Sequence, residues 1–136
     1  VYLGHWLGDT LLESSNLKKV DGIIPVPLHP SKKRKRGYNQ AAIIAGALSE
    51  KLKVPLVKKT LIRVKRTQSL AQIGYDERWR EVDQAFEFNK PLPKEMKHVL
   101  LVDDVITTGA TLTTCARALL KKNPLKLSIV SLACRL

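Results

Sequence analysis

The stretch VLLVDDVITTGATL, residues Val99 to Leu112, decides how this chain is read. Its apolar opening, from His98 to Val102, predicts a buried strand. At the carboxyl end of that strand stand two consecutive carboxylates, Asp103 and Asp104. Thr107-Thr108-Gly109-Ala110-Thr111 then turns into a helix predicted from about Gly109 to Lys122, with Leu112, Cys115, Ala116, Leu119 and Leu120 as its buried face. Small residues in the turn let the backbone approach a ligand closely, and Gly109 can adopt a positive φ. The unpaired amides of a helix start, with threonine hydroxyls beside them, form an anion cradle. Two carboxylates next to a phosphate would repel it unless they face another part of the same ligand. A vicinal diol offers two hydroxyl donors to such carboxylates, so a sugar 5-phosphate with free 2- and 3-hydroxyls satisfies both halves. Mg²⁺, bound directly or through water, also suits the acidic pair. The plainer alternative is a capped helix following an acidic strand end, with no ligand. A Walker loop is excluded, because there is no GxxxxGK[ST] and the carboxylates precede the turn.

Working outward, Leu3 to Leu12 has the apolar spacing of a short helix, and Gly22 to Pro27 reads as a buried strand stopped by prolines. Asn39 to Lys53 carries a helix face of Ala41, Ile44, Ala45, Leu48 and Leu52, with Pro55 beyond its end. Residues 56–64 suggest a strand with a break. The stretch from Lys65 to Gln84 is polar without a clean period, and Ala85 to Phe88 suggests a short edge strand. Lys126 to Cys134 is a β-branched strand. Alternating strands and helices predict an α/β fold with a mainly parallel sheet, whose ligands sit at the carboxyl ends of the strands.

The 136 residues suffice for a single domain, residues 1–136, and no apolar run approaches the roughly 20 residues that span a bilayer. No membrane partner is therefore expected. Val1-Tyr2-Leu3-Gly4 has neither an initiator Met nor a signal pattern, which suggests a fragment of a cytoplasmic protein. Cys115 and Cys134 stand alone and are expected to be core residues rather than zinc ligands. The formal net charge is +12, and between Gly22 and Tyr75 the only carboxylate is Glu50. Such a field concentrates polyanions, whether nucleic acid, pyrophosphate or both. A soluble basic surface with no partner is the alternative. After Pro25-Val26-Pro27-Leu28-His29-Pro30 come five basic residues, Lys32, Lys33, Arg34, Lys35 and Arg36, then Gly37-Tyr38-Asn39-Gln40. A rigid loop with Arg36 at a helix start fits a diphosphate, which Arg binds through paired donors.

Val99 to Leu112 resembles the phosphoribosyl-diphosphate (PRPP) binding signature of type I phosphoribosyltransferases. Pro25 to Pro30 together with Arg36-Gly37-Tyr38-Asn39-Gln40 resembles the ComF family within that superfamily. The resemblance implies the type I phosphoribosyltransferase fold: a mainly parallel twisted sheet flanked by helices, with a reduced hood. It implies that Asp103 and Asp104 hold the ribose hydroxyls and Thr107 to Thr111 the 5-phosphate. Pro25, Val26, Pro27 and Arg36 would form the pyrophosphate loop. Lys65 to Gln84 would be the mobile loop that closes over PRPP, and Lys65, Arg66 and Arg78 are the candidates there for a part in catalysis. Thr67, Arg78 and Ala85-Phe86 match the family's pattern in this region. Glu81 replaces its Asn, and its Gln falls on Gln68 or Leu70, so a loop contact is in doubt. The family's four-cysteine zinc motif is absent from these residues.

Two functions follow from the resemblance. One is Mg²⁺-dependent transfer of the 5-phosphoribosyl group from PRPP, with pyrophosphate release. The other is a non-catalytic domain that senses PRPP or a nucleotide and binds single-stranded DNA through Lys32, Lys33, Arg34 and Lys35, acting in DNA uptake during natural competence.

Overall fold

The structure, a computed structural model, describes residues 2–13, 19–64 and 85–135. The elements are α1 (Tyr2–Glu13), β1 (Gly22–Pro25), α2 (Pro30–Arg36), α3 (Gln40–Leu52), β2 (Leu61–Arg63), β3 (Phe86–Phe88), β4 (His98–Ile106), α4 (Ala110–Leu120) and β5 (Lys126–Cys134). β4 lies between β1 and β5, parallel to both. On the outer side of β1, Leu56 makes a parallel bridge to Ile23, so the start of the broken 56–64 segment continues the sheet. Its end, β2, leaves the sheet and pairs antiparallel with β3.

The alternation along β4 sorts its apolar side chains onto two faces. Val99 and Leu101 join Leu112, Cys115 and Leu119 of α4 and Phe86 of β3 in one core. Leu100 and Val102 join Leu7 and Leu11 of α1 and Ile44 and Leu48 of α3 in the other. All four of these β4 side chains are fully buried, as expected of a parallel strand covered on both faces. At the foot of the sheet, the Asp21 carboxylate accepts from the amides of Lys97 and His98, both at 2.8 Å. Those two bonds hold its pKa below the ordinary carboxylate value.

The structure corrects several expectations. Lys32 to Arg36 is not a rigid loop, and Arg36 does not start a helix: Pro30–Arg36 is itself helical and Arg36 is its last residue. Pro30 supplies a preset φ in the first turn, the His29 ring accepts from the Ser31 amide, and the cations crowd the last turn, where the helix dipole favours them. Gly37 closes α2 at φ 81°, a left-handed conformation that glycine adopts without penalty. β1 ends at Pro25 rather than Pro27, and β4 runs on to Ile106, so the acidic pair lies within the strand. Leu120 is 47% exposed rather than buried, Ala116 is only half-buried, and Thr114 takes a buried position.

Candidate functional site

Pairing along β4 is asymmetric. On the β1 side it ends at Pro25 opposite Val102, where the Val26 amide donates to the Val102 carbonyl at 2.8 Å. On the β5 side it continues to Ile106 opposite Cys134. Among the described residues, Asp103 to Ile106 therefore pair on the β5 edge only. Here a small hollow of about 30 Å³ is lined by Asp103 and by residues 105–112. The structure thus brings Asp103 together with Thr107, Thr108, Gly109, Ala110 and Thr111, while Asp104 is not among the lining residues. Gly109 is the N-cap of α4 at φ 75°, and no side chain caps the helix. A 3.4 Å contact from the Ala110 amide to the Thr108 hydroxyl is the nearest substitute. The helix start thus keeps amide donors for a ligand oxygen or water.

Asp103 is the perturbed acid of this site. Burial pushes its pKa up to about 6, and the adjacent Asp104 carboxyl adds to the rise through a shared hydrogen bond and like charge. The Asp104 amide, at 2.9 Å from the Asp103 Oδ1, and the Arg63 guanidinium act in the opposite direction. Arg63, at the end of β2, packs over the Phe86 ring with its guanidinium carbon 5.2 Å from the centroid. Burial pulls its pKa below the usual value, and the charge of Asp103 acts in the opposite direction. Burial likewise drives the Cys115 thiol up, so it is a neutral core side chain, as expected of it. Cys134 is exposed, which corrects its expected place in the core.

The loop after β1 borders a larger groove of about 970 Å³, lined among others by Pro25, Pro27, Lys33, Tyr38 and Arg63. Val26 is buried; its amide serves Val102 and its carbonyl accepts from the Asn39 Nδ2 at 2.9 Å. Asn39 also caps α3, accepting from the Ala41 amide at 3.1 Å, so one side chain fixes the loop against the helix. Since proline has no N–H, the segment 25–27 has no amide left for an anion. Cations must come from side chains. Arg36 is exposed and does not line this groove, whereas Lys33 does. Arg63, which the sequence reading did not single out, borders the same groove and acts on Asp103. Lys32, Arg34 and Lys35 are exposed on α2. Lys65, Arg66 and Arg78 lie outside the described residues.

No cluster of three or more His, Cys, Asp or Glu side chains forms a metal cage among the described residues. Mg²⁺ is typically held by one or two carboxylates together with ligand phosphates, and Asp103 with Asp104 supplies such hard oxygen donors. The acidic pair fits that mode.

Solved structures that resemble this fold include phosphoribosyltransferases. A purine phosphoribosyltransferase from Pyrococcus horikoshii Ot3 matches with TM-score 0.58 at 23% identity, over 98% of this chain and 71% of that one. Adenine phosphoribosyltransferase from Saccharomyces cerevisiae matches with TM-score 0.58 at 14% identity, over 98% and 66%. The fold is therefore the type I phosphoribosyltransferase fold. The phosphoribosyl transferase domain model matches residues 38–135. Competence protein F of Haemophilus influenzae is 35% identical over 120 residues, 86% of this chain and 52% of that protein. The DNA utilization protein YhgH of Escherichia coli K12 is 31% identical over 108 residues, 79% and 47%. Competence protein ComFC of Bacillus subtilis is 31% identical over 104 residues, 74% and 38%. The chain belongs to the ComF family of the phosphoribosyltransferase superfamily, and it spans about half the length of the first two of these relatives.

Proposed function

We propose that the chain binds PRPP and transfers its 5-phosphoribosyl group to a nucleophile, releasing pyrophosphate. The observation that carries this reading is that Asp103 and the Thr107–Thr111 bend line one hollow at the carboxyl ends of the parallel strands. In this reading the Asp103 and Asp104 carboxylates accept hydrogen bonds from the ribose 2- and 3-hydroxyls. The threonine hydroxyls and first amides of α4 hold the 5-phosphate. Lys33 and Arg63, beside the amide-poor loop at 25–27, supply the charge for the diphosphate. Arg36, the cation expected from the sequence, would reach it only from outside the groove. Mg²⁺ held between the acidic pair and the ligand would offset diphosphate charge. The bond from C1 of the ribose to the diphosphate oxygen breaks, a bond from the acceptor forms at C1, and the acceptor's proton passes to solvent. Chemistry of this kind is served mainly by positioning and charge stabilisation.

Calorimetry on the intact protein with PRPP and Mg²⁺ tests the binding step. Saturable heat that disappears in Asp103→Asn/Asp104→Asn is expected; equal affinity in that variant refutes the site. Pyrophosphate release, measured with a panel of bases and amines, then tests transfer. PRPP binding without release from any of them would leave a sensor rather than an enzyme.

A second reading is favoured by α2, whose five cations, Lys32 to Arg36, are all exposed. It is a single-stranded DNA-binding domain acting in DNA uptake, and relatives named for competence and DNA utilization support it. Affinity driven by phosphates falls steeply with salt, so a flat salt dependence refutes this reading.

A further inference from the structure

Helix α3 carries a second apolar face. Ile44, Ala45 and Leu48 pack into the core with α1. Ala42, Ile43, Gly46 and Ala47 instead line the groove of about 970 Å³. A helix that is apolar on two faces is ordinarily covered on both, yet Ile43 is 45% exposed. At Gly46 an added Cβ would meet nothing within 4 Å, so the groove is open along this wall. Because α3 starts at Asn39, which is tied to the Val26 carbonyl, the helix leads away from the loop at 25–27. Gly46 lies roughly 10 Å along its axis from Asn39 and Glu50 roughly 16 Å. Much of the remaining wall comes from Leu56, which bridges the outer edge of β1, and from Lys58, Lys59 and Ile62. Four lining residues are cations, Lys33, Lys58, Lys59 and Arg63, and one, Glu50, is a carboxylate. Lys58 and Lys59 are exposed, and among the described residues neither ammonium has a hydrogen bond or an ion pair. Lys59 is also held at φ 64°, a conformation unfavourable to a residue with a side chain.

Chemistry narrows the occupant. On the transferase reading the acceptor approaches C1 opposite the departing diphosphate, so a groove that begins at the diphosphate end does not take it. A second copy of this chain is disfavoured by charge: the chain carries +12, and two such faces would set eight cations against two carboxylates. A trough of aliphatic side chains suits the apolar stripe of a helix. Its volume holds about two turns of a helix about 10 Å across. Lysines beside such a trough select a helix whose stripe is flanked by carboxylates. We infer that the groove between α3 and residues 56–62 docks an acidic amphipathic helix of a partner protein. Its aliphatic anchors rest on Ile43, Gly46 and Leu56, and its carboxylates meet Lys58 and Lys59. The docking goes beyond the proposed reaction and does not depend on it.

The test selects a display library of helical peptides of about 14 residues, two turns with a flank at each end, on the intact protein. Gly46→Leu serves for counter-selection: it fills the groove, and leucine is the better helix former. The peptides that prefer wild type should carry aliphatic residues at i, i+3 or i+4, and i+7, with an excess of Asp and Glu. The inference is overturned if no peptide separates the two proteins, or if those that do lack that acidic excess. The most enriched peptide, synthesised with a fluorescein label, is then titrated by anisotropy at low salt. Lys58→Glu/Lys59→Glu should lose roughly 10-fold in affinity, and Lys121→Glu/Lys122→Glu on the far side of the sheet should match wild type. Equal losses in the two pairs would refute the assigned contacts. Thermal melting should place Gly46→Leu no lower than wild type; if it melts lower, Ile43→Glu on the same wall takes its place, and peptide binding unaffected by Ile43→Glu overturns the inference. Sedimentation tests the other occupant: a wild-type dimer that Gly46→Leu dissociates would give the groove to a second copy and overturn the proposal. Calorimetry with PRPP on Gly46→Leu and on the Lys58/Lys59 pair should match wild type, which keeps failure here distinct from failure of the transferase reading.

Discussion

Replacing Asp103 by asparagine should stabilise the protein at neutral pH while removing its ligand affinity. The Asp103 carboxyl titrates near 6 instead of 3.8, because burial beside Asp104 disfavours its charged form. A folded-state pKa raised above the unfolded value means that the native state binds the proton more tightly. The group therefore costs nothing below pH 3.8, and its cost grows through the window from 3.8 to about 6 and is complete above it. At about 1.4 kcal/mol per unit the full cost approaches about 3 kcal/mol. Solvent reaches one side of the hollow, so a screened value of about 1–2 kcal/mol is the working expectation. Urea unfolding of wild type and Asp103→Asn at pH 4 and pH 8 measures it. Effects of the amide that do not depend on pH cancel between the two conditions, so the expected signal is a gain at pH 8 larger by about 1–2 kcal/mol than at pH 4. Calorimetry should show PRPP affinity lost in the variant, and in wild type falling as pH drops below about 6. Equal stability differences at the two pH values would refute the claim that a buried carboxylate is held there at a cost.

Three further outcomes follow from the geometry. Gly109→Ala meets open space but must hold φ 75°, so it should cost about 1–2 kcal/mol in urea unfolding and weaken binding of ribose 5-phosphate. Asn39→Ala removes both the cap of α3 and the tie to the Val26 carbonyl, and should lower stability by about 1–2 kcal/mol; Asn39→Asp, which keeps the cap alone, should recover part of this. Arg63→Met removes a favourable field from Asp103, so the pH midpoint of PRPP binding should move upward and affinity should fall; an unchanged midpoint would show that the two side chains do not communicate.

The parts of the fold that were legible in the sequence are those whose apolar spacing matches a single period. β4 opens on an unbroken apolar run, as a strand covered on both faces does, β5 is rich in β-branched residues, and α1 and α3 carry one clear stripe. The acidic pair and the threonine bend were legible because a strand end and a helix start bring them together through local chain alone. Helix α2 was not, because it has no apolar face: its signals are a proline in the first turn, cations in the last and a glycine beyond, and a search for hydrophobic period passes over them. Leu120 sits beside the buried stripe of α4 at an angle that only the width of the covering layer decides. Arg63 was hidden among a dozen cations. Its place beside Asp103 comes from long-range pairing of β2 with β3, which no local pattern reports. The one available hint was its position two residues after Leu61 in a strand whose inward side is apolar.

The one-sided support of β4 has a consequence for how the molecule breathes. Among the described residues, Val99 to Val102 have strand neighbours on both edges, whereas Val105 and Ile106 have only Ala133 and Cys134, together with the bond from the Arg135 amide to the Ile106 carbonyl. The ligand-facing half of the strand should therefore unzip without melting the core, and its amide protons should exchange with heavy water sooner than those of the other half. A sugar phosphate bridging Asp103 and the threonine bend would act as the missing rung.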